Sequence, residues 1–326
     1  MQVLVVGGAG YIGSHMVKML HQQGHAVVTL DDLSNGYRDA VRYGEFVEGD
    51  IADFGLLDEV FTANTFDAVM HFASFIEVGE SVRDPAKYYR NNFSNTLNLL
   101  DAMVRHDVKR FIFSSTAAIF GEPEYTPIDE AHAKAPINPY GRSKWMVEQA
   151  LEDYDRAYGL ESVCLRYFNA AGADPDGELG ERHVPETHLI PLVLQAASGR
   201  RDSISVFGND YPTPDGSCVR DYIHIVDLCS AHLLALEKLL QGSGSKRYNL
   251  GNGNGFSVVE VIQQARSVTG QPINAIDSDK RPGDPATLVA DAALAREELG
   301  WKPRHDDLAE IIGHAWGWEL KSKVES

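Results

Sequence analysis

Cysteine is scarce in this chain of 326 residues. Only Cys164, Cys218 and Cys229 are present, an odd number without the close spacing of a metal site. That excludes a disulfide-stapled scaffold and a cysteine-rich zinc module, and it suits a reducing cytoplasm. Basic charge is also short, with 29 Lys and Arg against 47 Asp and Glu, for a formal net charge of −18. A nucleic-acid or anionic-membrane partner is therefore not expected, although a small anionic ligand needs only a few local arginines. No apolar run approaches the roughly 20 residues of a membrane span. Residues 1–13 are apolar enough to imitate a secretory leader, but they have no basic start and glycines interrupt them, so none is predicted. Internal repeats and low-complexity blocks are missing as well. What remains, 44% hydrophobic and 23% charged residues, is the composition of an ordinary globular protein with chain enough for two domains or one large one.

The amino end carries the first positive signal. Gln2–Val6 is a short apolar run, G-G-A-G-Y-I-G supplies Gly7, Gly10 and Gly13, and residues 11–24 read as a helix. Strand, glycine turn and helix together form a dinucleotide-binding unit, in which the glycines let the backbone approach a pyrophosphate at the positive end of the helix. A second strand, 26–30, leads into Asp31, eighteen residues after Gly13. A carboxylate there binds the adenosine ribose 2′-hydroxyl and repels a 2′-phosphate. Asp32 follows it rather than an arginine, which favours NAD over NADP. Stretches 68–72, 110–114 and 162–168 read as further buried strands, each after a helical stretch. That rhythm predicts an α/β fold, a Rossmann-type doubly wound parallel sheet with helices on both faces. After Asn169 the pattern changes to loops rich in Gly, Pro and Asp with few long periodic segments. We place a boundary there: an NAD-binding domain over 1–169 and a smaller C-terminal α/β substrate domain over 170–326, some of whose later segments pack back on the first. The glycine-rich G-N-G-N-G (251–255) reads as a turn leading to a helix capped by Ser257.

Tyr140 and Lys144 lie in P-Y-G-R-S-K, after Pro139 and before a run, 143–158, that mixes apolar and charged residues as a helix does. A Tyr-x-x-x-Lys pair on its own is common. Here Pro139 suits a first helical position, and a spacing of four puts both side chains on one face. An ammonium beside a phenol favours the phenolate, so the pair can take a proton from an alcohol near neutral pH. Lowering a tyrosine from about 10 to about 7 needs roughly 4 kcal/mol, more than one lysine supplies; a positively charged nicotinamide ring adds to it. His21 and His25 have metal-friendly spacing but no third ligand, and read as a solvated helix end; no metal is expected.

Three further stretches, F-S-S-T-A-A-I-F (113–120), R-Y-F-N-A-A-G (166–172) and F-G-N-D-Y-P-T-P-D-G-S-C-V-R-D-Y-I-H (207–224), extend the pattern. With H-F-A (71–73), V-G-E-S-V (78–82) and Y-N-L-G (248–251) they resemble the UDP-glucose 4-epimerases of the extended short-chain dehydrogenase/reductase family, over nearly the whole chain. The resemblance implies an isomerase that uses NAD to oxidise C4 of UDP-glucose or UDP-galactose to a 4-keto sugar, which rotates and is reduced on its other face. It implies that Gly7, Gly10, Tyr11, Ile12, Gly13, Asp31, Asp50, Ile51, Phe72, Ala73, Asn91 and Lys144 hold NAD. Thr116, Tyr140 and Lys144 are then the catalytic hydroxyl, base and lysine. Asn169, His188, Leu189, Phe207, Arg220, Arg281 and Asp284 hold the UDP portion, with Leu288 facing the sugar's C2 substituent. Ile76 stands where many members have lysine, Phe120 where tyrosine is common, and His188 where asparagine is common. The resemblance also implies a homodimer, matching helices 92–106 and 143–158, each of which has two apolar faces. Other readings stay open: an epimerase of UDP-N-acetylglucosamine or of a UDP-pentose, or a non-catalytic NAD-sensing protein on the same fold. A sugar-nucleotide 4,6-dehydratase usually has an acidic pair directly after the catalytic threonine; here Ala117 and Ala118 stand there.

Overall fold

The computed structural model describes residues 1–281 and 284–324. Its centre is a parallel sheet of seven strands. Six of them are β1 (Gln2–Val6), β2 (Ala26–Asp31), β3 (Glu45–Glu48), β4 (Ala68–His71), β5 (Arg110–Thr116) and β6 (Glu161–Tyr167). The seventh, Lys246–Leu250, lies beside β6, giving the order Lys246–Leu250, β6, β5, β4, β1, β2, β3. Both faces of such a sheet are covered, so its strands are continuous apolar runs. β1 shows the consequence. Val3 and Val5 face one core with Met16, Val17 and Leu20 of the Tyr11–Gln22 helix and Leu228, Ala231 and Leu236 of the Ile225–Leu240 helix. Leu4 and Val6 face the other core, with Leu57 and Val60 of the Phe54–Ala63 helix, Leu99 and Met103 of the Asn95–Arg105 helix, and Val147 and Leu151 of the Pro139–Tyr158 helix.

Residues 225–250 lie well beyond the boundary expected near residue 170, yet their helix and strand complete the first sheet and its core. A third cluster belongs to the second lobe and includes Ile190, Val193, Val261, Ile262, Ile311 and Ile312. It joins the Leu189–Ser198, Val258–Thr269 and Leu308–Val324 helices. Few long periodic segments were expected after Asn169, but these helices and Ile225–Leu240 are ten to seventeen residues long. The physical reason is visible in Ile225–Leu240, where Ile225, Leu228, Cys229, Ala231, His232, Ala235, Leu236 and Leu239 are all buried. An apolar stripe that wide blurs the helical period.

The strand order reverses between β1 and β4, which opens a crevice at the carboxyl ends of the strands. Among the described residues no helix is long and apolar enough to cross a membrane.

Candidate active site

The glycine loop after β1 is shaped by close approach. Gly7 has φ +80°, and a Cβ there would sit 2.4 Å from the Ala73 nitrogen. At Gly13 a Cβ would meet the Gly7 carbonyl at 2.1 Å, so helix and loop could not pack. Gly10 differs: the nearest atom to a Cβ there is 3.5 Å away. The fold itself does not demand a glycine at Gly10, and the space a side chain would fill lies at the start of the Tyr11–Gln22 helix. That is a cradle for a phosphate group. Asp31, at the end of β2, is buried; its Oδ2 accepts from the Ala9 amide at 2.9 Å and its Oδ1 from the Leu33 amide at 2.9 Å. Burial raises its pKa and the two amides oppose the rise. Each carboxylate oxygen keeps a further lone pair for a ribose hydroxyl. The residues present thus fit NAD.

The other residues expected around the cofactor fall into two groups. The Phe72 amide donates to Val6 at 2.7 Å, and Phe72 and Ala73 lie directly over Gly7. The Tyr11 hydroxyl donates to the Gly172 carbonyl at 2.7 Å, tying the loop to the second lobe, and Ile12 packs on the first core. Ile51 is buried, whereas Asp50 is exposed and accepts from Ala52 at 2.8 Å. Asn91 lies in a π-helical segment, Tyr89–Ser94, a geometry concentrated at functional sites.

Thr116 ends β5, and Tyr140 and Lys144 begin the Pro139–Tyr158 helix. Pro139 starts that helix and the Asn138 side chain caps it, accepting from Gly141 at 2.8 Å. A Cβ at Gly141 would lie 2.4 Å from the Ala118 carbonyl oxygen. Only glycine lets the helix start press against the Ala117–Ile119 turn, and this brings Tyr140 to Thr116. Lys144 is 3% exposed and donates to Ser74 Oγ at 2.6 Å and to the Ser114 carbonyl at 2.9 Å. Burial lowers its pKa to about 7, with Glu148 opposing. Burial raises the Tyr140 phenol, with the Thr116 hydroxyl pulling it back. The protein's own groups therefore do not deliver the lowered phenol expected from the sequence, because burial outweighs the Thr116 hydrogen bond.

On the second lobe, Asn169 donates to the Asp221 carbonyl at 2.9 Å. Arg220 Nη2 donates to Asp284 in an ion pair and its Nη1 donates to the Val219 carbonyl at 2.8 Å, so both arms of that guanidinium are already engaged. The Arg281 guanidinium lies 3.9 Å over the ring of Phe207. Leu288 is half-buried and packs against a cluster of Ala117, Ile119, Phe120 and Ile128. Leu189 opens its helix directly after His188. The ion pair and the ring stacking group Arg220 with Asp284 and Arg281 with Phe207.

The sequence reading missed the supporting groups. Ser115 donates to Glu148 at 2.6 Å, and Arg166 grips the same carboxylate at 3.0 and 2.6 Å, all buried beneath the catalytic helix. Ser114 Oγ lies 2.6 Å from the Tyr167 hydroxyl. Asp221 is buried and accepts from the amides of Asn252 at 2.8 Å, Gly253 at 3.2 Å and Ala290 at 3.1 Å. It thereby knots the R-D-Y-I-H, G-N-G-N-G and T-L-V-A segments together. The only available signal was Glu148 standing four residues after Lys144, one helical turn on.

Comparison with known proteins gives a consistent picture. Residues 3–251 match the NAD dependent epimerase/dehydratase family. The chain is 52% identical over 318 residues to the UDP-glucose 4-epimerase of Halalkalibacterium halodurans, covering 98% of this chain and 95% of that one. It superposes on the UDP-glucose 4-epimerase of Brucella ovis, solved in complex with NAD, with a TM-score of 0.95 at 53% identity, covering 97% of each chain. The UDP-Glc/GlcNAc 4-epimerase of Campylobacter jejuni superposes with a TM-score of 0.87 at 43% identity, covering 98% of this chain and 99% of that one.

Proposed function

The chain belongs to the NAD dependent epimerase/dehydratase family, and from that premise we propose that it interconverts UDP-glucose and UDP-galactose by inverting C4. The observation that carries the reading is the placing of Thr116, Tyr140 and Lys144 at the carboxyl ends of the sheet, beside the Gly7–Gly13 loop. NAD, held by that loop and Asp31, supplies an acceptor and then a donor of hydride. Tyr140, once ionised, takes the proton of the C4 hydroxyl and later returns it, while Thr116 holds the sugar oxygen. Lys144 fixes the site through Ser74 and Ser114. An oxidised nicotinamide bound beside Tyr140 would supply positive charge that favours the phenolate.

UDP remains anchored by the second lobe while the keto sugar turns. Asn169, at the boundary, and His188, Leu189, Phe207, Arg220, Arg281 and Asp284, within the substrate-binding part assigned to 170–326, form that anchor. A guanidinium fork pairs well with a diphosphate. Net redox is zero, so NAD stays bound between turnovers. Leu288 faces the sugar's C2 substituent and disfavours N-acetyl sugars; equal efficiency on UDP-glucose and UDP-N-acetylglucosamine would remove that assignment. The three cysteines are buried and free, which supports a place in the reducing cytoplasm. Incubating the purified protein with UDP-galactose and no added NAD tests the whole reading. UDP-glucose should appear, and its absence with NAD present in the protein would reject it.

A further inference from the structure

Glu181, His183, Glu186 and His188 lie in the segment leading into the Leu189–Ser198 helix, and apart from His188 none of them enters the reading above. Their ligand atoms converge, one from each side chain, all within 4.8 Å of one another. Nδ1 of His188 is 2.7 Å from Glu181 Oε1 and 3.2 Å from Glu186 Oε1. Nδ1 of His183 is 3.1 Å from Glu181 Oε1 and 3.7 Å from Glu186 Oε2. Both imidazoles thus aim the same nitrogen at the same two carboxylates. An ion bound tetrahedrally through bonds of about 2.0–2.1 Å holds its ligand atoms roughly 3.3 Å apart, in the middle of that range.

Charge makes the same point. The side chains of Glu181 and Glu186 are each only 6% exposed, and two uncompensated anions cannot persist in so dry a place. The histidines compensate them. Two imidazolium protons would balance the two carboxylates, and one divalent cation supplies the same charge. The protonated arrangement is also imperfect, since the buried Nδ1 of His183 makes no well-directed hydrogen bond despite its 3.1 Å approach to Glu181.

We propose that Glu181, His183, Glu186 and His188 bind a tetrahedral divalent transition ion, with Zn²⁺ as the type. Two imidazoles and two carboxylates form a nitrogen and oxygen donor set that suits it. The ion replaces the two shared protons and pins the 181–188 segment against the start of the Leu189–Ser198 helix. This revises the expectation of no metal, which rested on the cysteine spacing and on His21 and His25. A second triad, His305, Glu310 and His314, is less suited. His224 Nδ1 accepts from the Val226 amide, so His224 Nε2 carries the proton and donates to His314 Nδ1 at 3.0 Å, which leaves the His314 imidazole only one free nitrogen.

The test uses the full chain with its bound NAD, stripped of metal by a chelator and titrated with Co²⁺ and then Zn²⁺. One Co²⁺ per chain should bind with the intense visible absorption of a tetrahedral site, and one Zn²⁺ should displace it. His183→Gln and Glu186→Gln should each weaken binding by at least about 10–100-fold, while His305→Gln leaves it unchanged. X-ray absorption on the wild-type zinc form, which needs no variant, should fit two imidazoles and two carboxylates. The proposal fails if the folded wild type takes up no stoichiometric metal. It also fails if the zinc shell lacks imidazole, or if His305→Gln abolishes binding that His183→Gln retains.

Discussion

At the residue scale, Tyr140 and Lys144 meet the same obstacle, a dry site that penalises charge, and burial moves each away from its ionised form. Tyr140→Phe removes only the ionisable oxygen. It should lower kcat by about 10²–10⁴-fold while NAD content and thermal stability stay close to wild type; undiminished turnover would remove Tyr140 as the base. Lys144 makes a prediction about pH. Its pKa is about 7 in the folded protein against 10.5 for the free side chain, so between those values the unfolded chain binds more protons. Stability therefore rises with pH through that window, and the full penalty applies below about pH 7. Lys144→Met abolishes this titration. In NAD-free protein, the variant's stability relative to wild type should fall by about 2–3 kcal/mol between pH 7.5 and pH 9.5, measured by urea unfolding. A pH-independent difference would contradict the buried, weakly charged lysine.

At the element scale, two neighbouring helices present the apolar face on which the expected dimer rests. Asn95–Arg105 and Pro139–Tyr158 bury Leu99, Met103, Val147 and Leu151 against the sheet. Leu97, Val104, Met146 and Ala150 are only half-buried, and Tyr158 is 51% exposed. A second copy of the same pair would cover that face across a two-fold axis. Light scattering at micromolar concentration should give about twice the chain mass of 35.9 kDa; a mass near the single-chain value would reject the dimer. These helices also show how far the sequence could be read. Pro139 and the spacing of Tyr140 from Lys144 announced one of them, because first-turn preferences are local. The π-helical turn at Tyr89–Ser94 was not legible, since its sequence Y-R-N-N-F-S carries no glycine or proline to mark it. Nor was the return of Lys246–Leu250 to β6, a pairing 83 residues away in sequence (246 − 163). The two-residue strands Val219–Arg220, Phe256–Ser257 and Thr287–Leu288 are too short to show any alternation. In the site, the reacting groups stood out because motifs concentrate them. Ser74, Glu148, Arg166 and Asp221 did not, because long-range folding alone brings them to their partners.

At the scale of the whole molecule, the two lobes are joined where the cofactor loop begins. Tyr11 reaches Gly172, and Lys18 on the same helix is buried against Asp174 at 2.8 Å, with Asp176 at 3.0 Å and Glu178 at 3.3 Å. The crevice between sheet and second lobe is thereby held in one piece, as a reaction that oxidises and re-reduces the same carbon requires. The chain's net charge of −18 gives no general attraction for an anionic nucleotide sugar, which is why the proposed anchor relies on local groups such as Arg220 and Arg281. The proposed reaction requires that one NAD, held throughout, accept hydride from C4 and return it to the same sugar. The most direct test is turnover of UDP-galactose carrying deuterium at C4, with no NAD added. The account predicts UDP-glucose that retains the deuterium at C4, with no label in solvent. Loss of the label to water, or conversion that depends wholly on added NAD, would contradict it.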